Sequence, residues 1–581
     1  MMSCSALVLM AVVAGAGPSG IAESKHNLSV SGPGRIKSTQ ETEICIFCHG
    51  THKAAGDALD NRPQSQAVYR GYTSSTLRAA NVRGPTGSSR VCLSCHDGTV
   101  ALAQAVGSSR PRSLSMLDAD GAGRLPAGPS NLGTDFSSTH PFSVKPPEHP
   151  EYRAPPAGDA VRLDADGQVQ CVSCHDPHRE DADPVQRKFL VKDNRGSSLC
   201  LSCHSVEGWS SNPSAHQSSF ATFDAERGAT AGYTTVADNG CQACHDSHGA
   251  REPKRLTKAD DDRLCMICHG GRVARLDLSV DLRKPQTHLV GPAGESGHDA
   301  SEGPDSAQFP LPETRSTQRR HATCVDCHNP HQAFHHDAER PLAKGALAGV
   351  WGVDKNGQRV AEVRYEYEVC FKCHADSANK PQSLGPRPPE TLRRALQDAN
   401  LRDQFAASAA SFHPVVSAGR NPSVPSLKAP WTTSSQVYCS DCHASDSGAG
   451  AGGFGPRGPH GSVYPHLLER NLSTADMTVE SPQAYALCYK CHDREVLLSR
   501  RSSFPPHARH LGDGTPCTAC HAAHGVSALQ GNPVNNAHLI DFDTAIVRGL
   551  ESGPASYTSR GPRSGSCTVS CHNVSHRNTG Y

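Results

Sequence analysis

The residues best placed to do chemistry in this chain are cysteines closed by a histidine. The pattern Cys-x-x-Cys-His occurs eleven times, opening at Cys45, Cys92, Cys171, Cys200, Cys241, Cys265, Cys324, Cys370, Cys439, Cys488 and Cys517. The second cysteines are Cys48, Cys95, Cys174, Cys203, Cys244, Cys268, Cys327, Cys373, Cys442, Cys491 and Cys520. The closing histidines are His49, His96, His175, His204, His245, His269, His328, His374, His443, His492 and His521. A twelfth copy, Cys567-Thr-Val-Ser-Cys571-His572, carries one extra residue between its cysteines. These motifs use 24 of the 25 cysteines and leave only Cys4. A shuffled chain of this composition gives well under one copy, so chance is excluded.

Cysteines at i and i+3 share one face of a helical turn. Both sulfurs then reach two vinyl groups on one porphyrin edge, and the following histidine projects beneath the ring onto the iron. This is the attachment geometry of c-type haem. Zinc asks instead for Cys₄ or Cys₂His₂ sets, and a thioredoxin-like site needs one such pair within a βαβ unit. The sequence therefore predicts about twelve haems c, eleven held by CxxCH and one by CxxxCH. In the last copy the sulfurs at i and i+4 still share a helix face, so both are expected to bond their haem.

The opposite axial position takes His, Met or nothing. Six Met are present, and only Met116 and Met477 lie outside the leader and the motifs. Of 33 His, twelve close motifs and 21 remain. Bis-histidine iron is the economical reading. By first cysteine the motifs fall into pairs 45/92, 171/200, 241/265, 324/370, 439/488 and 517/567. In five pairs the first motif continues as CHxxH, which supplies His52, His178, His248, His331 and His524. A histidine there hangs below its own haem and must serve a different one. The 439 copy lacks it, and His460 in GPHG is the candidate replacement. Each pair also has a histidine upstream: His26, His140, His216, His298 or His321, His413, and His507 or His510. One upstream and one CHxxH or PHG histidine per pair closes the count at twelve. His149, His288, His335, His336, His466, His538 and His576 are left over and are expected to be solvated or hydrogen-bonded.

The elements that must position these groups are sparse. Lys+Arg and Asp+Glu balance at 57 each, aromatic residues are 5 %, and mean hydropathy is −0.50. No basic excess marks a nucleic-acid binder, and so few large apolar side chains build no ordinary core. With about 48 residues per haem, the polypeptide is a thin coat over porphyrins that pack on one another. The expected fold is irregular, low in secondary structure, with short α-helices, organised by stacked haem pairs. Pro389–Ser408 is the best helix candidate, and connectors 107–160, 284–318 and 444–460 read as surface loops. No alternating pattern is long enough for a sheet. The expected division is a signal peptide at 1–16 and haem pairs at 17–106, 107–206, 207–272, 273–380, 381–497 and 498–581. Ala6–Ala16 is apolar and ends in Ala14-Gly15-Ala16, which suits cleavage before Gly17. No other apolar run approaches the roughly 18 residues of a membrane helix, so an exported chain without its own transmembrane helix is expected.

The sequence resembles the doubled-CXXCH multihaem c-type cytochromes. Within them it is similar to the outer-membrane dodecahaem-type cytochromes of porin–cytochrome electron conduits in metal-reducing bacteria. The likeness rests on HNLSVSGPG leading into CIFCHGTH, on CLSCHDGTVAL, CHDPH and CHNPH, and on SFHPVVSAGRNPSVPSL, YCSDCH, GPHGS, CYKCHDR and HLIDFD. It implies an electron carrier and no catalytic residues. Its implied partners are other c-type cytochromes and an outer-membrane porin, with no nucleic acid. Its implied place is the periplasm, the outer membrane or the cell exterior. Two propionates per haem shift the neutral chain to about −24, so many Arg and Lys are expected to pair with propionates. Two other readings compete: a haem-filament subunit using the surplus His538 and His576, and a multihaem reductase with one open haem. No CxxCK motif and a surplus of histidine argue against the reductase.

Overall fold

The computed structural model describes residues 20–49, 62–74, 76–79, 84–105, 112–223, 232–259, 261–288, 290, 322–375, 393–396 and 400–581. The expected leader with Cys4, the CHxxH histidine His52, and the upstream candidates His298 and His321 lie outside the described residues.

Regular structure is short and coincides with the motifs. Helices α1 (Gly87–His96), α2 (Asp261–His269) and α3 (Glu366–His374) each end on the histidine of a second motif. Asp97 and Gly98 stop α1, and Gly98 takes φ +69°, where a side chain would be strained. At the start of α3 the Glu368 carboxylate accepts the Arg364 and Tyr365 N–H groups at 2.7 and 3.0 Å. Eight further motifs form single helical turns in which the histidine N–H donates to the first cysteine's carbonyl at 2.9–3.0 Å. The residue before the second cysteine caps several of these turns. Ser173, Asp326 and Asp441 accept the N–H groups of Gln170, Thr323 and Tyr438 at 3.0, 2.7 and 2.8 Å.

The chain divides into two compact units, with the main break at Asp260/Asp261. The first carries the motifs from Cys45 to Cys241. Its buried apolar residues, among them Phe47, Leu93, Phe136 and Val144, are scattered along loops. The second unit carries the motifs from Cys265 onward and has three larger apolar clusters. One joins Tyr367 and Phe371 of α3 to Phe405, Phe412 and Val415, and another gathers Ala484, Tyr485, Tyr489 and Leu511. The third sits beneath an antiparallel sheet of β1 (Ser556–Gly561), β2 (Ser564–Cys571) and β3 (Val574–Gly580).

The irregular, helix-poor architecture matches the expectation, but two local expectations fail. This sheet leaves no mark in hydrophobic alternation because its strands are mostly small and polar. Only Tyr557 and Val569 are buried hydrophobics from it, packed with Phe542, Ile546 and Val547. The CxxxCH cysteines therefore lie on strand β2 rather than on a helical turn. The helix expected over Pro389–Ser408 is also absent from its described part, apart from Leu401–Gln404. The Ala395 N–H donates to the Phe542 carbonyl and the Leu396 N–H to the Asp541 carboxylate at 3.0 and 3.1 Å. Tertiary pairing overrides the local leucine spacing there.

Candidate haem-binding centres

The motif histidines do not point into empty protein. In the first unit four meet a second imidazole ring to ring: His96 with His26, His49 with His178, and His204 with His140 at 6.1 Å, and His175 with His248 at 6.2 Å between centroids. In the second unit His269 meets His216 and His328 meets His460 at 6.1 Å, while His374 meets His288 at 6.3 Å. There too His443 faces His524 at 5.9 Å, His521 faces His507 at 6.3 Å, and His510 faces His576 at 6.1 Å. His492 lies beside His413. Two imidazoles bonded to one metal from opposite sides, each at about 2.0 Å, have centroids about 6 Å apart. The spacing fits one iron between each pair.

Five pairs follow one pattern: His26, His140, His216, His288 and His413 each meet the second motif of their own pair, and His178, His248, His460 and His524 each meet the first motif of the preceding pair, while in the last pair His507 meets the first motif. His288 departs from the sequence expectation, which left it solvated. It occupies the upstream role beside His374, while the two candidates for that role fall outside the described residues. His507 and His510 both face other imidazoles rather than only one of them. His149 stays near Glu151, His335 and His336 are exposed, and His538 packs on Tyr557. Met477 is 65 % exposed.

Hydrogen bonds on Nδ1 fix the orientation of the motif rings. Nδ1 of His96, His175, His245, His328, His443 and His521 donates to the carbonyls of Ser130, Lys188, Arg255, Ala346, His466 and His538 at 2.7–2.9 Å. His492 uses the Ser426 hydroxyl at 2.9 Å. With Nδ1 as the donor, Nε2 is the ring nitrogen that carries the lone pair. The partner histidines are held likewise, and by a telling set of carbonyls. His26 donates to Pro177, His216 to Pro330, His288 to Pro459 and His413 to Ala523. Each acceptor immediately precedes a CHxxH or PHG histidine: His178, His331, His460 or His524. The His140 backbone N–H donates to the carbonyl of Ser247, just before His248, while its Nδ1 donates to the Pro141 carbonyl at 3.0 Å. Ligation requires a neutral imidazole, and burial favours that form in several of these rings. It pulls His140, His248, His269, His460, His492 and His521 down to about 4, and His507 and His524 to about 3.

The motif thiols run in chain order through each unit. In the first, Cys48 neighbours Cys92, Cys92 contacts Cys171, Cys174 neighbours Cys203, and Cys200 contacts Cys241. In the second, Cys265 contacts Cys324, Cys370 contacts Cys439, and Cys488 contacts Cys517. Between those contacts Cys327 neighbours Cys370, Cys442 neighbours Cys491, and Cys520 neighbours Cys567 and Cys571.

Basic side chains hold the turns, a role the sequence did not reveal. Arg62 donates to the Ser94 carbonyl, Arg153 to Leu201, Lys372 to Asp326, Lys490 to Asp441, Lys428 to Tyr489 and Arg394 to Thr518. All six acceptors are the internal residues of a CxxC. Lys372 and Lys490 lie inside second motifs and reach the first motif of the same pair, so they tie the two turns together. Carbonyls in such short helical turns lack intrahelical partners, and these cations satisfy them.

The family model for the doubled CXXCH motif matches residues 165–208, 234–274 and 429–497, and each stretch holds two motifs. No curated protein matches the chain.

Proposed function

We propose, from the premise that its doubled CXXCH motifs make the chain a multihaem c-type cytochrome of electron transfer, that it conducts electrons through about twelve bis-histidine haems. Haem c supplies the redox chemistry, one electron per iron. The ring-to-ring histidine pairs carry this reading. Two imidazoles on one iron would leave no position for a substrate, so the chain acts as a carrier rather than an enzyme. The polypeptide fixes the order of the wire. Motif thiols that touch in sequence order bring neighbouring porphyrin edges together, so the path within each unit follows the chain from one motif to the next. An exported protein handing electrons between periplasmic cytochromes and an outer-membrane or extracellular acceptor, through a porin partner, fits this conduit. Among the described residues no helix is long and apolar enough to cross a membrane.

Intact mass of the exported holoprotein is expected to show about twelve covalent haems. Low-temperature EPR of the oxidised protein should place essentially all the iron in low-spin form. Imidazole planes range from 9° apart at His49/His178 to 87° at His140/His204. Near-parallel planes split the iron orbitals and crossed planes leave them close in energy, so at least two classes of low-spin signal are expected. One equivalent of high-spin iron that binds nitrite or sulfite would sink the carrier reading.

A further inference from the structure

The last motif departs from the other eleven in where its histidine goes. Elsewhere the histidine ends a helical turn. His572 instead opens the two-residue connection between β2 and β3, where the register closes on Cys571 opposite Val574. His572 and Asn573 take φ +46° and +60°, the positive values a tight hairpin of right-handed twist demands. The His572 Nε2, the atom an iron would need, donates to the Asp476 carboxylate at 2.8 Å.

The hairpin brings another imidazole back. His576 pairs with Val569 across β2 and β3, two positions behind Cys571 and on the same sheet face. Its ring faces His510 at 6.1 Å, the spacing found at the other histidine pairs. His510 lies on the helix His507–Gly512 with Nδ1 on the Pro506 carbonyl at 2.9 Å, so its Nε2 points outward. His507, three residues earlier on the same side of that helix, faces the preceding motif's His521.

We propose that the last haem is bound axially by His510 and His576, with the motif histidine His572 withdrawn into a hydrogen bond with Asp476. This rests on the reading that the twelfth motif carries a haem. The extra residue between Cys567 and Cys571 is then not a tolerated irregularity. It belongs to a strand-borne site in which the proximal ligand arrives from the neighbouring strand.

The test uses full-length exported holoprotein, with covalent haem counted by intact mass and spin state by quantitative EPR. His576→Ala and His510→Ala are each expected to keep twelve haems and to turn one equivalent of iron high-spin. His572→Ala is expected to leave every iron low-spin. His576→Met, which restores a ligand, should remove the high-spin signal and add one equivalent of the near-infrared band of His/Met iron. If His572→Ala opens an iron, alone or as well as His576→Ala, the assignment is overturned. It is also overturned if folded His576→Met lacks the methionine signature. A wild-type mass of eleven haems with Cys567 and Cys571 unmodified would instead remove the underlying twelve-haem reading, an outcome distinct from ligand misassignment.

Discussion

Gly461→Ala is expected to open two haem irons at once. Gly461 and Ser462 pair with Thr287 and Gln286, and a Cβ at Gly461 would stand 1.9 Å from the Asp281 carbonyl oxygen and 2.6 Å from its carbon. The obstacle is backbone, which does not swing aside as a long side chain does. Asp281 is fully buried and held by Lys284 at 2.5 Å and the Ser447 hydroxyl at 3.1 Å, so it has no room to retreat. The strands must part, and each carries a ligand candidate. His460 precedes Gly461 and faces His328. His288 follows Thr287, holds its Nδ1 on the Pro459 carbonyl at 2.9 Å, and faces His374. Overpacking of this kind costs about 1–3 kcal/mol, and here the strain falls on the two strands that carry these imidazoles. EPR spin counting should read about two equivalents of high-spin iron in Gly461→Ala and about one in His460→Ala, because only the first moves both strands. Equal counts in the two variants would show that the paired segments do not set ligand position together.

The same region shows what could be read from the chain and what could not. Residue spacing revealed the turn of every Cys-x-x-Cys-His copy, because that motif is local chemistry on a local scaffold, but not the strand that carries Cys567 and Cys571. It also led to the expectation that a histidine three residues past a motif serves another site, and His178, His248 and His524 do stand ring to ring with the histidines of other motifs. His460, the candidate for the missing CHxxH position, stands likewise beside His328. Which imidazole meets which was not legible. His288 and His576 looked surplus because their partners lie 86 and 66 residues away in sequence, at His374 and His510. Only the carbonyl preceding each CHxxH or PHG histidine shows the register, and a backbone acceptor leaves no mark in composition. The C-terminal sheet stayed hidden because SGSCTVSC and VSHRNTG carry almost no apolar alternation. A periodic-hydrophobicity argument has nothing to detect where a strand packs through Val569 alone.

The basic residues follow the same logic of silent backbone acceptors, and Arg62→Ala is expected to show how much they matter. Arg62 is 5 % exposed and spends its guanidinium on the Cys92 motif and its exit. Nε donates to the Ser94 hydroxyl at 3.0 Å, Nη1 to the Leu102 carbonyl at 2.8 Å, and Nη2 to the Ser94 and Ala101 carbonyls at 3.1 and 2.9 Å. Truncation strands three backbone acceptors in a site with little water. At about 1–3 kcal/mol for each buried acceptor left unmade, partly relieved by solvent entering the space, a loss of about 3–5 kcal/mol is expected. For a unit of this size that lowers its melting transition by about 10 °C. Calorimetry of the full holoprotein should show one transition displaced and the other unmoved. Arg62→Lys should recover only part of the loss, since an ammonium cannot reproduce the planar fork. Arg35→Ala supplies the contrast: Arg35 and its partner Asp118 are 90 % and 50 % exposed, and an exposed pair of this kind contributes little to stability. Should Arg62→Ala melt within a degree or so of wild type, the carbonyl clamps would be consequences of the haem turns rather than what holds them.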